Sequence, residues 1–154
     1  GVAYLYRDTE EEKRMKQMIA EFAIFANSFV GEYLKSTLNI GIFRTCEAKD
    51  WLSKADENIT GEEMIQQIIT NGITADYLSK VSSHDLVGMP EYCHFTSPIR
   101  RLADCVCHYL LKYIYFKNKK VNTKFKGFDY EHKDQEFEKI PDIENNRNNN
   151  RRKK

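Results

Sequence analysis

The sequence predicts an α+β fold that is rich in helix and carries a few short strands, and three observations lead there. Met15, Met18, Ile19, Phe22, Phe25, Ala26, Phe29, Val30, Tyr33 and Leu34 form an apolar stripe at three-and-four spacing, which a helix gathers on one side. Ile99, Leu102, Ala103, Val106, Leu110, Tyr113 and Ile114 repeat that period later in the chain. Between them the run Ile40–Cys46 is short, apolar and marked by turn residues Asn39 and Gly41, which reads as a strand. With 154 residues and 41% hydrophobic content the chain can bury one real core.

Taken in order, residues 1–7 read as the end of a strand, and the missing initiator methionine suggests a fragment. Asp8 or Thr9 caps a helix predicted over 9–35, whose first-turn residues Glu10 to Glu12 suit the positive end of the helix dipole. Its stripe reads as core. Glu21 and Asn27 are polar in that apolar neighbourhood, so they either bond across elements or line a binding channel. The strand over 40–46 leads to a polar connector, 47–58, pinned by Trp51 and Leu52. Thr60 opens a helix over 60–70, which Asn71-Gly72 ends, and 73–81 is predicted as a second short helix. A loop holding His84 then leads to a short strand over 91–95.

Ser97 and Pro98 read as the start of a helix over 97–118, because a serine oxygen can accept first-turn N–H groups and proline loses nothing there. Arg100 and Arg101 then fall in a first turn, where the dipole disfavours cations. A bound anion would explain them: free N–H groups, a positive helix end and an arginine fork together make a phosphate seat. The plainer alternative pairs one arginine with a carboxylate and leaves the other solvated. Asp104 and His108 stand four apart and can meet on the same helix.

Composition excludes several classes. A net charge of +1 generates no global field for nucleic acid, so any basic surface is local. No secretory signal is present, and the longest apolar helices carry Glu21, Glu32, Asp104 and Lys112, so no membrane span is expected. Cys46, Cys93, Cys105 and Cys107 form no CxxC pair and read as reduced thiols of an intracellular, cytoplasmic protein. A zinc site from Cys93, His94, Cys105, Cys107 and His108 is disfavoured, since helix neighbours two apart diverge. From Phe116 to Tyr130 lysines interleave with aromatics, the pattern of a solvated face or an RNA contact. Residues 143–154 are basic and low in complexity, which taken alone reads as a disordered tail. The chain divides into 1–118 and a basic, polar segment 119–154.

The run His94-Phe95-Thr96-Ser97-Pro98-Ile99-Arg100-Arg101, followed in register by Asp104, Val106 and His108, resembles the signature near the end of the RNB catalytic domain of ribonuclease II and ribonuclease R type enzymes. Ile19–Asn27 is similar to that family's "IEEFMLLAN" helix and Phe43–Glu47 to its "YRVHE" strand; Ala75, Tyr77, His84 and Leu86 also agree. Residues 143–154 vaguely resemble the family's final helix. Leu102 and Tyr109 depart from the family's tyrosine and arginine, and Ala20 and Ala23 from its Glu and Met. The resemblance implies the C-terminal part of an RNB catalytic domain within a magnesium-dependent 3′–5′ exoribonuclease, a hydrolase that releases nucleoside monophosphates from single-stranded RNA. It implies that Arg100 touches the reacting phosphate and that Tyr92, His94, Thr96, Ser97, Arg101 and His108 join it in RNA binding. Glu21, Asn27, Pro98 and Asp104 would support them.

Two-metal hydrolysis requires clustered carboxylates, and the family takes them from adjacent aspartates in an earlier segment. This chain has no Asp-Asp pair, so no metal ligand is assigned, Mg²⁺ is expected to be held outside it, and the chain alone is expected to be inactive. The implied partners are single-stranded RNA, the upstream catalytic segment and OB-type RNA-binding domains. The alternative is a non-catalytic RNA-binding or scaffolding piece that keeps these elements without the metal site.

Overall fold

The computed structural model describes residues 7–118 and 134–152. Its elements run α1 (Glu10–Leu38), β1 (Phe43–Thr45), α2 (Lys49–Leu52), α3 (Gly61–Thr70), β2 (Asp76–Leu78), α4 (Leu102–Asn118) and α5 (Asp134–Arg152). Thr9 starts α1 through a capping box, its hydroxyl accepting from the Glu12 N–H while the Glu12 carboxylate accepts from the Thr9 N–H. Asn39 ends it in the left-handed region at φ 53°. Thr60 and Glu63 repeat the capping box at α3. Asp85 caps α2, its Oδ2 accepting from the Ala48 and Lys49 N–H groups.

The core lies where the C-terminal half of α1, α4 and the sheet meet, and it holds Val30, Leu34, Ile42, Tyr77, Cys93, Ala103, Cys107, Leu110 and Ile114. Strands β1 and β2 pair antiparallel in the register Phe43 with Leu78, Arg44 with Tyr77 and Thr45 with Asp76. The other edge of β1 receives the extended chain after Pro90: the Arg44 N–H donates to the Tyr92 carbonyl at 2.7 Å and Phe43 bridges Cys93. That segment also crosses α1 at Gly31, where an added Cβ would stand 3.2 Å from the Glu91 carbonyl oxygen. The Lys35–Glu91 ion pair closes the crossing.

Four sequence expectations are corrected. Residues 73–81 form no helix; Asp76–Leu78 is a strand, because β1 takes one edge and a side chain of α5 takes the other. Residues 91–95 make a single bridge instead of a strand, since the Phe95 and Cys93 N–H groups are drawn to Asn27. The helix expected over 97–118 begins at Leu102, and Ser97–Arg100 is a turn with Ile99 98% exposed. Of the α1 stripe only Val30 and Leu34 are buried, whereas Met15, Met18, Ile19, Phe22, Phe25, Phe29 and Tyr33 are exposed. A 29-residue helix is about 43 Å long, and only its C-terminal half reaches the core.

Of the two readings of the C-terminal stretch, the disordered tail is set aside and the helix is found: residues 134–152 form α5, which packs on β2 and α4 and buries Pro141 and Glu144. The strand end at 1–6 and the basic, aromatic run with Lys119, Lys120, Lys124, Phe125, Lys126, Phe128 and Tyr130 lie outside the described residues. Among the described residues no helix is long and apolar enough to cross a membrane.

Candidate functional site

An irregular segment, 92–101, is held in place by buried side chains from regular elements. Asn27 of α1 is 2% exposed and works with every polar group it has. Its Nδ2 donates to the Tyr92 hydroxyl at 3.1 Å, its Oδ1 accepts from the Phe95 N–H at 2.9 Å, and its carbonyl accepts from the Cys93 thiol at 3.3 Å. The polar residue in the apolar stripe is therefore a clamp on the extended chain, with both its amide nitrogen and its amide oxygen engaged.

Asp104 holds the far end of the segment. It is fully buried in the first turn of α4, where the dipole favours a carboxylate. Arg101, at the entry to that helix, grips it with two prongs: Nε donates to Oδ2 at 2.6 Å and Nη2 to Oδ1 at 2.8 Å. The same Oδ1 accepts from the Ser97 N–H at 2.7 Å. Burial works to lower the Arg101 pKa, yet the Asp104 hydrogen bond and charge outweigh it and hold the guanidinium above its ordinary range. The dipole conflict of two first-turn arginines thus disappears, since one is neutralised and the other lies outside the helix.

Between these anchors the chain projects. Thr96, Pro98, Ile99 and Arg100 are exposed, and the turn is closed by the Arg100 N–H donating to the Ser97 carbonyl at 3.3 Å. Among the described residues no ion pair or side-chain hydrogen bond engages Arg100. The Cys105 thiol donates to the Pro98 carbonyl at 3.0 Å.

Aromatic and imidazole rings pack behind the segment. Tyr77 of β2 and His94 share a hydrogen bond of 2.6 Å, and His94, Tyr92 and His84 meet edge to face at ring separations of 5.8 and 5.3 Å. Desolvation, aided by the Arg101 charge, pushes His94 down to about 3, and desolvation pushes Tyr77 up to about 12. Both groups are neutral at pH 7, so the bond joins an uncharged hydroxyl to an uncharged imidazole. His84 is lowered by burial and then by Arg44, and its Nδ1 is a buried atom without a partner among the described residues. The Arg44 guanidinium lies 4.6 Å from the Tyr77 ring centre. His108 stacks on Phe95 at 4.4 Å, and its Nε2 donates to the Phe95 carbonyl at 2.8 Å instead of meeting Asp104.

The structure thus gathers Asn27, Tyr92, His94, Thr96, Ser97, Pro98, Arg100, Arg101, Asp104 and His108 around one segment. Tyr92 is buried with its hydroxyl engaged; Thr96 and Arg100 face solvent. Glu21 stands apart, exposed on α1 about 9 Å along the axis from Asn27, and no hydrogen bond joins it to the cluster among the described residues. Sequence reasoning missed three contributors. Tyr77 was hidden by the helical reading of its segment, and Arg44 could have been found from its place in the resembling strand. Asn145 of α5 accepts from the Tyr77 N–H at 2.8 Å and donates to the Tyr77 carbonyl at 3.0 Å, closing the outer edge of β2; its asparagine-rich context concealed it.

Magnesium does not fit these residues. Among the described residues no group of three or more His, Cys, Asp or Glu side chains can hold a metal ion. Asp104 is committed to Arg101 and Ser97, and Glu144, buried with Oε2 unpartnered, joins no such group. What the arrangement offers is an exposed guanidinium on a turn anchored at both flanks, which suits an anion.

The family model described as RNB domain matches residues 4–117. Over 107 residues the chain is 32% identical to ribonuclease R of Helicobacter pylori (strain 26695), covering 70% of this chain and 15% of that protein. The strain J99 protein is 31% identical over 111 residues, with 72% and 15% covered. Ribonuclease R of Buchnera aphidicola is 38% identical over 69 residues, 44% of this chain and 9% of that protein. The chain therefore spans 15% or less of the length of these relatives.

Proposed function

The chain belongs to the RNB domain family, and we propose that it forms part of a 3′–5′ exoribonuclease acting on single-stranded RNA in the cytoplasm, to which it supplies a phosphate clamp and part of the RNA path. One observation carries the reading: Arg100 is presented without a partner among the described residues on a turn whose two flanks are anchored, while its neighbour Arg101 is consumed in structure. A planar guanidinium can span two oxygens of one phosphate and hold it in line for attack. It also offsets the charge that grows on those oxygens in the transition state. Thr96, also exposed, adds a hydroxyl just before the turn. The magnesium-dependent chemistry belongs to carboxylates expected outside this chain, with OB-type domains expected to guide the strand.

The test compares Arg100→Ala, Arg100→Lys and Arg101→Ala in the complete enzyme. Arg100→Ala lowers single-turnover cleavage much more than RNA affinity, and lysine, which keeps charge but loses the fork, restores it only in part. Cleavage at the wild-type rate by Arg100→Ala would leave that residue without a role in the reaction. The absence of a carboxylate group fit for a metal, among the described residues, favours a second reading in which the chain is a non-catalytic RNA-binding piece. The 154-residue chain itself is expected not to trim labelled RNA in magnesium. Trimming that a substitution in this chain abolishes would reverse that expectation.

A further inference from the structure

We infer that Asp104 is the positioning residue for Arg100, acting as a staple that joins the two flanks of the projecting turn through one carboxylate. The inference rests on the reading of Arg100 as the phosphate contact. Residue 97 reaches Asp104 through its backbone N–H and residue 101 through its guanidinium, so the exposed tip 98–100 is a three-residue loop closed on a single group. The tip has little else to fix it. Ile99 packs on nothing, the hydrogen bond across the turn is long at 3.3 Å, and the thiol contact of Cys105 is weak. Asp104 itself is fully buried, as are Ala103 and Cys107 on the same helix.

The arrangement also sorts two adjacent, chemically identical side chains. The carboxylate takes the guanidinium at the helix entry and leaves the one at the turn. A merely structural ion pair would need only Arg101; the third bond, to the Ser97 N–H, is the one that sets where the tip points. Asp104→Asn keeps the size and one acceptor but turns a donor toward Arg101, so the turn loses one flank and Arg100 samples more directions.

A double-mutant cycle in the complete enzyme reads this directly. Asp104→Asn alone slows single-turnover cleavage about tenfold or more while RNA affinity changes by less than about threefold. In the Arg100→Ala background the same substitution slows cleavage by less than about twofold, because the residue it positions is gone. Equal slowing in both backgrounds would overturn the inference while leaving the role of Arg100 intact; no effect of Arg100→Ala would overturn the role of Arg100 and the inference with it. Should Asp104→Asn fold poorly, Arg101→Lys enters the same cycle, keeping the charge but removing one prong. Amide exchange supplies a readout without activity: the Ser97 N–H is protected in the wild type and exchanges faster in Asp104→Asn, with Leu110 and Ile114 unchanged. A Ser97 amide that exchanges at the unprotected rate in the wild type would refute the staple.

Discussion

The N-terminal half of α1 and the segment 92–101 are opposites. The first is a capped, regular helix whose large apolar side chains face water, with Phe22 66% and Phe25 70% exposed. The second has no regular structure, yet Asn27, Asp104 and Arg101 hold it and Tyr92 and Cys93 are buried in it. Regularity is settled locally, by backbone hydrogen bonds within one segment. Burial is settled by what lies across the fold. The candidate site occupies the irregular region because side-chain clamps can fix a conformation that no repeating pattern supplies.

The largest effect that would sharpen this contrast is expected at Arg101. Arg101→Met strands the fully buried Asp104 carboxylate and lowers stability by about 3 kcal/mol in urea unfolding. A loss below about 1 kcal/mol would mean the pair is dispensable. Next comes Asn27→Ala, which leaves the Phe95 N–H and the Tyr92 hydroxyl unmatched and costs about 2 kcal/mol.

An acid titration probes the rings behind the segment. His94 is held far below its ordinary 6.5, at about 3, so the unfolded chain binds a proton that the folded chain refuses between those values. Stability is thus complete above about pH 6.5 and falls as pH drops toward 3, with His84, also lowered, adding in the same direction. Urea midpoints measured from about pH 7.5 to 5 should show that slope, and His94→Gln should flatten it. An identical slope in His94→Gln would place the proton elsewhere.

The smallest effects belong to the other side of the comparison. Phe25→Ser and Arg100→Met, both exposed, should each change the stability of the 154-residue chain by less than about 0.5 kcal/mol. A loss of about 2 kcal/mol from Phe25→Ser would show that the face is covered.

What is local, or matched in order, could be read from the residues alone. The helix starts at Asp8 or Thr9 and at Thr60, the helical period of the two stripes, a brief strand within 40–46 and the family signature were all legible, because each depends on residues a few positions apart. The sequence also exposed Asn27 as an exception in an apolar stripe, without saying what the exception was for. The rest depends on contacts between distant parts of the chain. Tyr77 lies in a strand because β1, with Arg44 opposite it 33 residues earlier, pairs along one edge, while Asn145, 68 residues later, takes its N–H and carbonyl on the other. The helix after Pro98 starts late because Asp104 takes the Ser97 N–H and Arg101 together. Which arginine is structural and which is presented depends on that carboxylate's depth, and depth is a property of the packed fold that no local spacing encodes.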